Sequence, residues 1–282
     1  MNRVIPPILK DLFKTKKLDL SLGIFIGMVG VGIIGSALYP NPLVVAGPAF
    51  SPPSNSFPLG TDYMGRNLLA LLLSGIENSL YIGLIAALIS LAIGVVIGVL
   101  SGFKGGVTDS SLMLITDVIL VLPSILIMML IAAYLQERNP LFVSIVIGVT
   151  AWPWVARAVR SQMMSLKSRE FMYMSRMAGL KDVRIIFEDL LPNMASYIFM
   201  AFVLLMSGAM IAEAGLSMIG LGVTKGVSLG AILYWAQIFE AVRRGIWWWF
   251  APPGICLIAM ASSLLLTSTA LDEYFSPRLR GG

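Results

Sequence analysis

Hydrophobic positions in this chain come in long unbroken blocks rather than in alternation. Six blocks stand out, at about residues 20–39, 79–101, 113–135, 141–158, 194–219 and 251–270. Each is close to the roughly 20 apolar residues that a helix needs to cross the hydrocarbon layer of a bilayer. A block that is apolar all round and longer than a strand reads as a buried or membrane-spanning helix. The pattern therefore predicts an all-α polytopic protein with six transmembrane helices. The organisation that follows is an N-terminal segment 1–19, a spanning domain 20–270 and a C-terminal tail 271–282. A polar interruption at 159–192 separates the fourth block from the fifth.

Breaker residues refine the picture. Pro123 and Pro153 fall inside the third and fourth blocks and are expected to kink their helices. Residues 40–60 carry six prolines and cannot be helical throughout. Trp247, Trp248 and Trp249 stand before the last block, where indoles favour the headgroup layer. Pro252 and Pro253 then suit a first helical turn. Gly23 with Gly27 and Gly94 with Gly98 make small-xxx-small faces suited to close helix contact.

Charge gives the blocks a direction. Of 20 Lys and Arg, the 15 that fall in the N-terminal segment, beside Lys104, between Arg157 and Arg184, and in the tail all lie on one side of a six-span layout. By the positive-inside rule that side is the cytoplasm, and both termini belong to it. The net charge of +5 is thus a mark of topology and not of nucleic-acid binding. The first block follows a basic segment, but its apolar run is too long for a signal peptide, and "GSALYPNP" is a poor cleavage site.

Composition agrees. The chain is 57% hydrophobic and only 12% charged, too little polar surface for a water-soluble domain. It has no His, which removes serine–histidine chemistry and most zinc sites. Its one cysteine, Cys256, lies in an apolar run and reads as a packed apolar group. "GFKGG" and "GVTKG" lack the spacing of a phosphate-binding P-loop, so the chain is not expected to hydrolyse nucleotide itself.

The polar interruption contains "SREFMYMSRMAGLKDVRIIFEDLLPN" (168–193), with four basic and four acidic residues. Gly179 breaks it as a residue just past a helix end would. A second amphipathic piece follows, with Val183, Ile186, Phe187 and Leu190 at three- and four-residue spacing. One reading is a helix lying on lipid. The other is a docking element for a cytoplasmic partner, since methionines adapt to a protein groove and balanced charge gives no attraction to anionic lipid.

This loop resembles the cytoplasmic loop of binding-protein-dependent ABC importer permeases, whose pattern runs Glu-Ala-Ala, three residues, Gly, nine residues, Ile, one residue, Leu-Pro. Gly179, Leu191 and Pro192 match it. Tyr173, Met174 and Ser175 stand at the Glu-Ala-Ala positions and Asp189 at the Ile position. "FPLGTDYMGRNLLALLLSGIENSLYIG" (57–83), "WPWVARAVRSQMMSLKSREF" (152–171), "EAGLSMIGLGV" (213–223), "WWWFAPPG" and "SPRLRGG" resemble the second permease of dipeptide and oligopeptide importers. Before the tail, "LLTSTALDEYF" departs from that family's acidic–basic stretch.

The resemblance implies a subunit of a prokaryotic inner-membrane importer. Its partners would be a homologous permease, two ATP-binding subunits and an external solute-binding protein. ATP and Mg would be held by the ATPases, with no cofactor in this chain. Solutes of such importers include peptides, nickel complexes and oligosaccharides. The residues implied to dock on the ATPase are Arg169, Glu170, Tyr173, Met174, Ser175, Met177, Gly179, Leu180, Lys181 and Asp182.

Two carboxylates beside the spans need separate treatment. Asp117 precedes the run Val118–Leu135 and is expected at a helix N-terminus, favoured by the dipole. Glu213 lies 20 residues past Asn193, about 30 Å of helix, near the outer face. There it is a pathway candidate or a cap. The neutral spans offer no charge cluster to select one sign, so the pathway is expected to tolerate different solutes. The rival class is an ion-gradient-coupled transporter or channel. It calls for charges or broken helices at the midplane, commonly in two repeated halves, and no such repeat and no midplane charge are read here. A regulatory membrane anchor is a third class.

Overall fold

The computed structural model describes residues 16–134 and 137–275. Helix α1 (Lys16–Leu38) leads into an irregular segment, 39–67, and then α2 (Leu68–Lys104). Two broken pairs follow: α3 (Gly106–Val121) with α4 (Ser124–Ala133), and α5 (Pro140–Ala151) with α6 (Pro153–Lys167). A short helix, α7 (Glu170–Met177), precedes α8 (Asp182–Met218), α9 (Leu229–Ile238) and α10 (Trp247–Phe275). The basic residues placed in the first 15 positions and in the tail, with "SPRLRGG", lie outside the described residues.

Helices α1, α2, α8 and α10 are each long and apolar enough to cross a membrane. Each broken pair passes the same test when taken as one span, which makes six. The corners fall at the expected prolines, with bends of 80° at Leu122–Pro123 and 47° at Trp152–Pro153. Proline cannot donate to the preceding turn and its ring crowds that turn's carbonyl, so the axis breaks there.

The helices overrun the blocks that announced them. α2 begins at Leu68 rather than 79, α3 at Gly106 rather than 113, and α6 runs on to Lys167. Hydropathy registers only the lipid-thick part of a helix, whereas backbone hydrogen bonding continues into polar sequence. The fifth span is the largest correction, because α8 starts at Asp182 and passes straight through Pro192. It does so by widening to a π-helical segment at Ile185–Leu190, where the Leu191 N–H donates to the Ile186 carbonyl. Such a turn gives the proline ring room. α9 was not foreseen, being half the length of a span. Pro252 and Pro253 stand one turn further into α10 than expected, and of the three tryptophans Trp249 is buried while Trp247 is exposed.

α2 is the central post, packed by α1, α5, α6, α8 and α9. Gly94 and Gly98 do what their spacing promised, and Gly102 extends the stripe. A Cβ at Gly94 would lie 2.7 Å from Val155 Cβ, and one at Gly98 2.7 Å from Val159 Cβ. Only glycine lets α6 come this close. Among the described residues nothing lies within 4 Å of a Cβ at Gly23 or Gly27; α1 uses Gly32 instead, against Ile76.

Candidate functional site

α7 is a ledge hung between two long helices. Arg169 sits in the N-cap position with extended backbone, and the helix runs eight residues to an end at Ala178. Gly179 then takes φ +72°, the left-handed conformation that L side chains disfavour. The N–H of Ala178 donates to the Met174 carbonyl (2.9 Å) and that of Leu180 to the Ser175 carbonyl (3.3 Å), closing the end. Among the described residues nothing lies within 4 Å of a Cβ added at Gly179, so φ and not a close approach accounts for the glycine.

Burial divides the ledge into two faces. Met172 is buried in a cluster with Met163 and Leu166 of α6 and Ile185, Leu190 and Met194 of α8. Tyr173, Met174 and Met177 point away, Met177 with 89% of its surface free. Arg169, Glu170, Gly179, Lys181 and Asp182 are exposed as well, while Ser175 and Leu180 are half-buried toward the bundle. Val183 and Phe187 do not share a buried face with Leu190 as their spacing suggested; both are exposed and Ile185 is buried instead. The π-helical segment shifts the face by inserting a wider turn.

Ser175 explains a departure from the importer pattern. Its hydroxyl donates to Asp189 Oδ2 at 2.7 Å, and these are two of the positions where the pattern has Ala and Ile. A polar pair thus stands where two apolar residues were expected, tying α7 to α8. The coincidence of both departures was the signal in the sequence.

Beside the ledge, two ion pairs join α3 to α6. Arg160 Nε and Nη2 donate to the two oxygens of Asp109 at 2.5 and 2.6 Å, and the Ser101 hydroxyl of α2 also donates to Asp109. Arg157 Nε and Nη2 both donate to Asp117 Oδ1, at 3.0 and 2.5 Å. The dipole reading of Asp117 is therefore corrected. Asp109 occupies the first turn of α3, whereas Asp117 stands about one turn before the other end of that helix with an arginine partner. The expectation of spans without charge is corrected with it.

At the end of the bundle remote from α7, Glu213 is fully buried near the close of α8. Its Oε1 accepts the hydroxyls of Ser217 and Ser228, each at 2.6 Å. Ser228 in turn accepts the Ala231 N–H at 3.0 Å and so caps α9. Ser79 of α2 accepts the Leu229 N–H (3.1 Å), and Asn78 donates to the Val227 carbonyl (2.7 Å). Glu213 Oε2 has no partner among the described residues. In front of this node lies a cavity of about 370 Å³ walled by Tyr63, Arg66, Ser217, Tyr234, Trp235 and Trp249. Arg138 staples the loop above it, donating to the Gly222 and Gly220 carbonyls at 2.9 and 3.2 Å. Arg138 is one of the five basic residues that fall on the other side of the six-span layout from the basic majority.

A bundle of six spans with a protruding, methionine-faced ledge suits a membrane transport subunit, and comparison with known proteins gives the same answer. Residues 94–281 match the family described as "Binding-protein-dependent transport system inner membrane component". The chain is 32% identical over 231 residues to the oligopeptide transport system permease protein OppC of Mycobacterium tuberculosis (strain CDC 1551 / Oshkosh), covering 81% of this chain and 78% of the relative. It is 32% identical over 232 residues to OppC of Bacillus subtilis (strain 168), covering 82% and 75%. With the dipeptide transport system permease protein DppC of the same strain it shares 30% over 273 residues, covering 96% and 85%. The chain belongs to the family of inner membrane components of binding-protein-dependent transport systems.

Proposed function

We propose that this chain is one of the two membrane halves of an ATP-driven peptide importer. Its partners are a homologous permease, two ATP-binding subunits and a solute-binding protein. The names of the relatives, oligopeptide and dipeptide permeases, favour peptides over oligosaccharides or metal complexes as the solute. ATP and Mg are held by the ATPases. In this orientation both termini and α7 face the cytoplasm, and Glu213 lies at the outer mouth as a pathway residue. An ion-gradient-coupled transporter is disfavoured by the family match.

The observation that carries the reading is α7 itself. A helix of eight residues is too short to be stable alone in water. Here it is held by one buried face and offers Tyr173, Met174 and Met177 on the other. A push on that face reaches α6 and α8 directly, because Met172 is wedged between them. Cysteine crosslinking tests it in the assembled complex with Cys256→Ser. Cysteine at position 174 should form a bond with a cysteine on the ATPase surface. No crosslink at any position from 170 to 182, in an otherwise active complex, would rule out docking here.

A further inference from the structure

We infer that the corner between α3 and α4, together with the Asp117–Arg157 pair, forms the water-lined wall along which the solute passes. This inference rests on the importer reading for the identity of the solute, but not for the wet face itself.

Two independent features point to it. The first is the 80° corner. In the six-span layout it lies between the two ends of one span, inside the layer. A helix end leaves up to four carbonyls without partners, and a helix start leaves as many N–H groups. Leu122 caps α3 in extended conformation, Pro123 has no N–H, and no side chain caps α4. The bonds recorded at the corner are those of the Leu126 and Ile127 amides to the Pro123 carbonyl, 2.9 and 3.4 Å. Residues 121–126 are all exposed, Val121 by 81%. Open backbone of this kind is not tolerated against lipid tails; it occurs where protein covers it or where it lines a water-filled cavity, and the described residues of this chain leave the corner open.

The second feature is the ion pair, on the same helix one turn before the corner. Both side chains are about half exposed, 52% for Arg157 and 51% for Asp117. Both contacts fall on Oδ1 of the aspartate. Oδ2 of Asp117 and Nη1 of Arg157 make no hydrogen bond among the described residues. A charged pair with a free valence of each sign belongs against water and not hydrocarbon. It is complementary to a solute that carries an ammonium and a carboxylate, as a peptide with free ends does. The free carbonyls closing α3 add partial negative charge on the ammonium side.

Single cysteines at Val121, Leu122 and Ile125, with Cys256→Ser, test the wall in the reconstituted four-subunit complex. Ile258 on α10, also exposed, serves as the lipid-facing control. A charged, water-borne thiosulfonate should modify the three corner positions at least about tenfold faster than position 258, because only wet positions ionise and react. Equal slow rates, or no reaction in any nucleotide state, would overturn the wall. The peptide part has its own readout. Asp117→Asn should raise the KM for an alanine tripeptide about tenfold, the loss of one charge-assisted hydrogen bond, and leave its N-acetyl analogue nearly unchanged. Equal effects on both peptides would overturn recognition at Asp117. A wet corner in a complex that imports no peptide would sink the solute assignment alone.

Discussion

Single residues carry more of this protein's individuality than its spans do. Ser175 and Asp189 depart from the importer pattern separately but act as a pair at 2.7 Å. Asp189→Ala should weaken the seating of α7 by about 1 kcal/mol, the net worth of a hydrogen bond, and Ser175→Ala with Asp189→Leu should restore it by returning the apolar contact. ATPase rate stimulated by peptide-loaded binding protein reports the seating, and a double variant no better than the single one would contradict the pairing. Glu213 is the second case. Gln at 213 keeps an acceptor for Ser217 and Ser228, so assembly and basal ATPase should stay near normal while uptake slows. Failure to assemble would instead mark Glu213 as a structural cap of α9.

At the scale of elements, the decisive joints are a turn and a stripe. Gly179 holds φ +72° with open space around it. Gly179→Arg therefore costs about 1–2 kcal/mol of backbone strain and places a long cation on the exposed side. Membrane insertion should persist, because the spans do not depend on that turn, while ATPase association weakens or hydrolysis uncouples from uptake. Normal uptake in the variant would favour a helix lying on lipid. The stripe Gly94–Gly98–Gly102 behaves oppositely, being crowded at every position. Gly98→Leu would overpack α2 against α6 and destabilise the bundle by roughly 1–3 kcal/mol or more, read as a lower melting temperature of the purified complex. An unchanged melting temperature would show that α6 can move aside.

At the scale of the whole molecule, the charge bias predicts that residues 159–192 and both termini label from the cytoplasm, and 41–77 and 224–246 from outside. Cysteine at Ser168 labelled from outside would refute the six-span layout. Sequence alone determined the class of this protein, because apolar blocks of membrane length, proline corners and asymmetric basic residues each follow from local physics. The helix end at Gly179 and the Gly94–Gly98 contact were legible for the same reason, since a helix end and a small-residue face are written within a few residues. Tertiary structure alone decided what depends on two segments meeting: the pairing of Ser175 with Asp189, of Asp117 with Arg157, and the burial of Glu213 under α9. It also decided where helices stop, since hydropathy ends at the lipid boundary and backbone hydrogen bonding does not. Partners 14, 40 and 15 residues apart leave no periodic trace along the chain, and only the folded packing selects them.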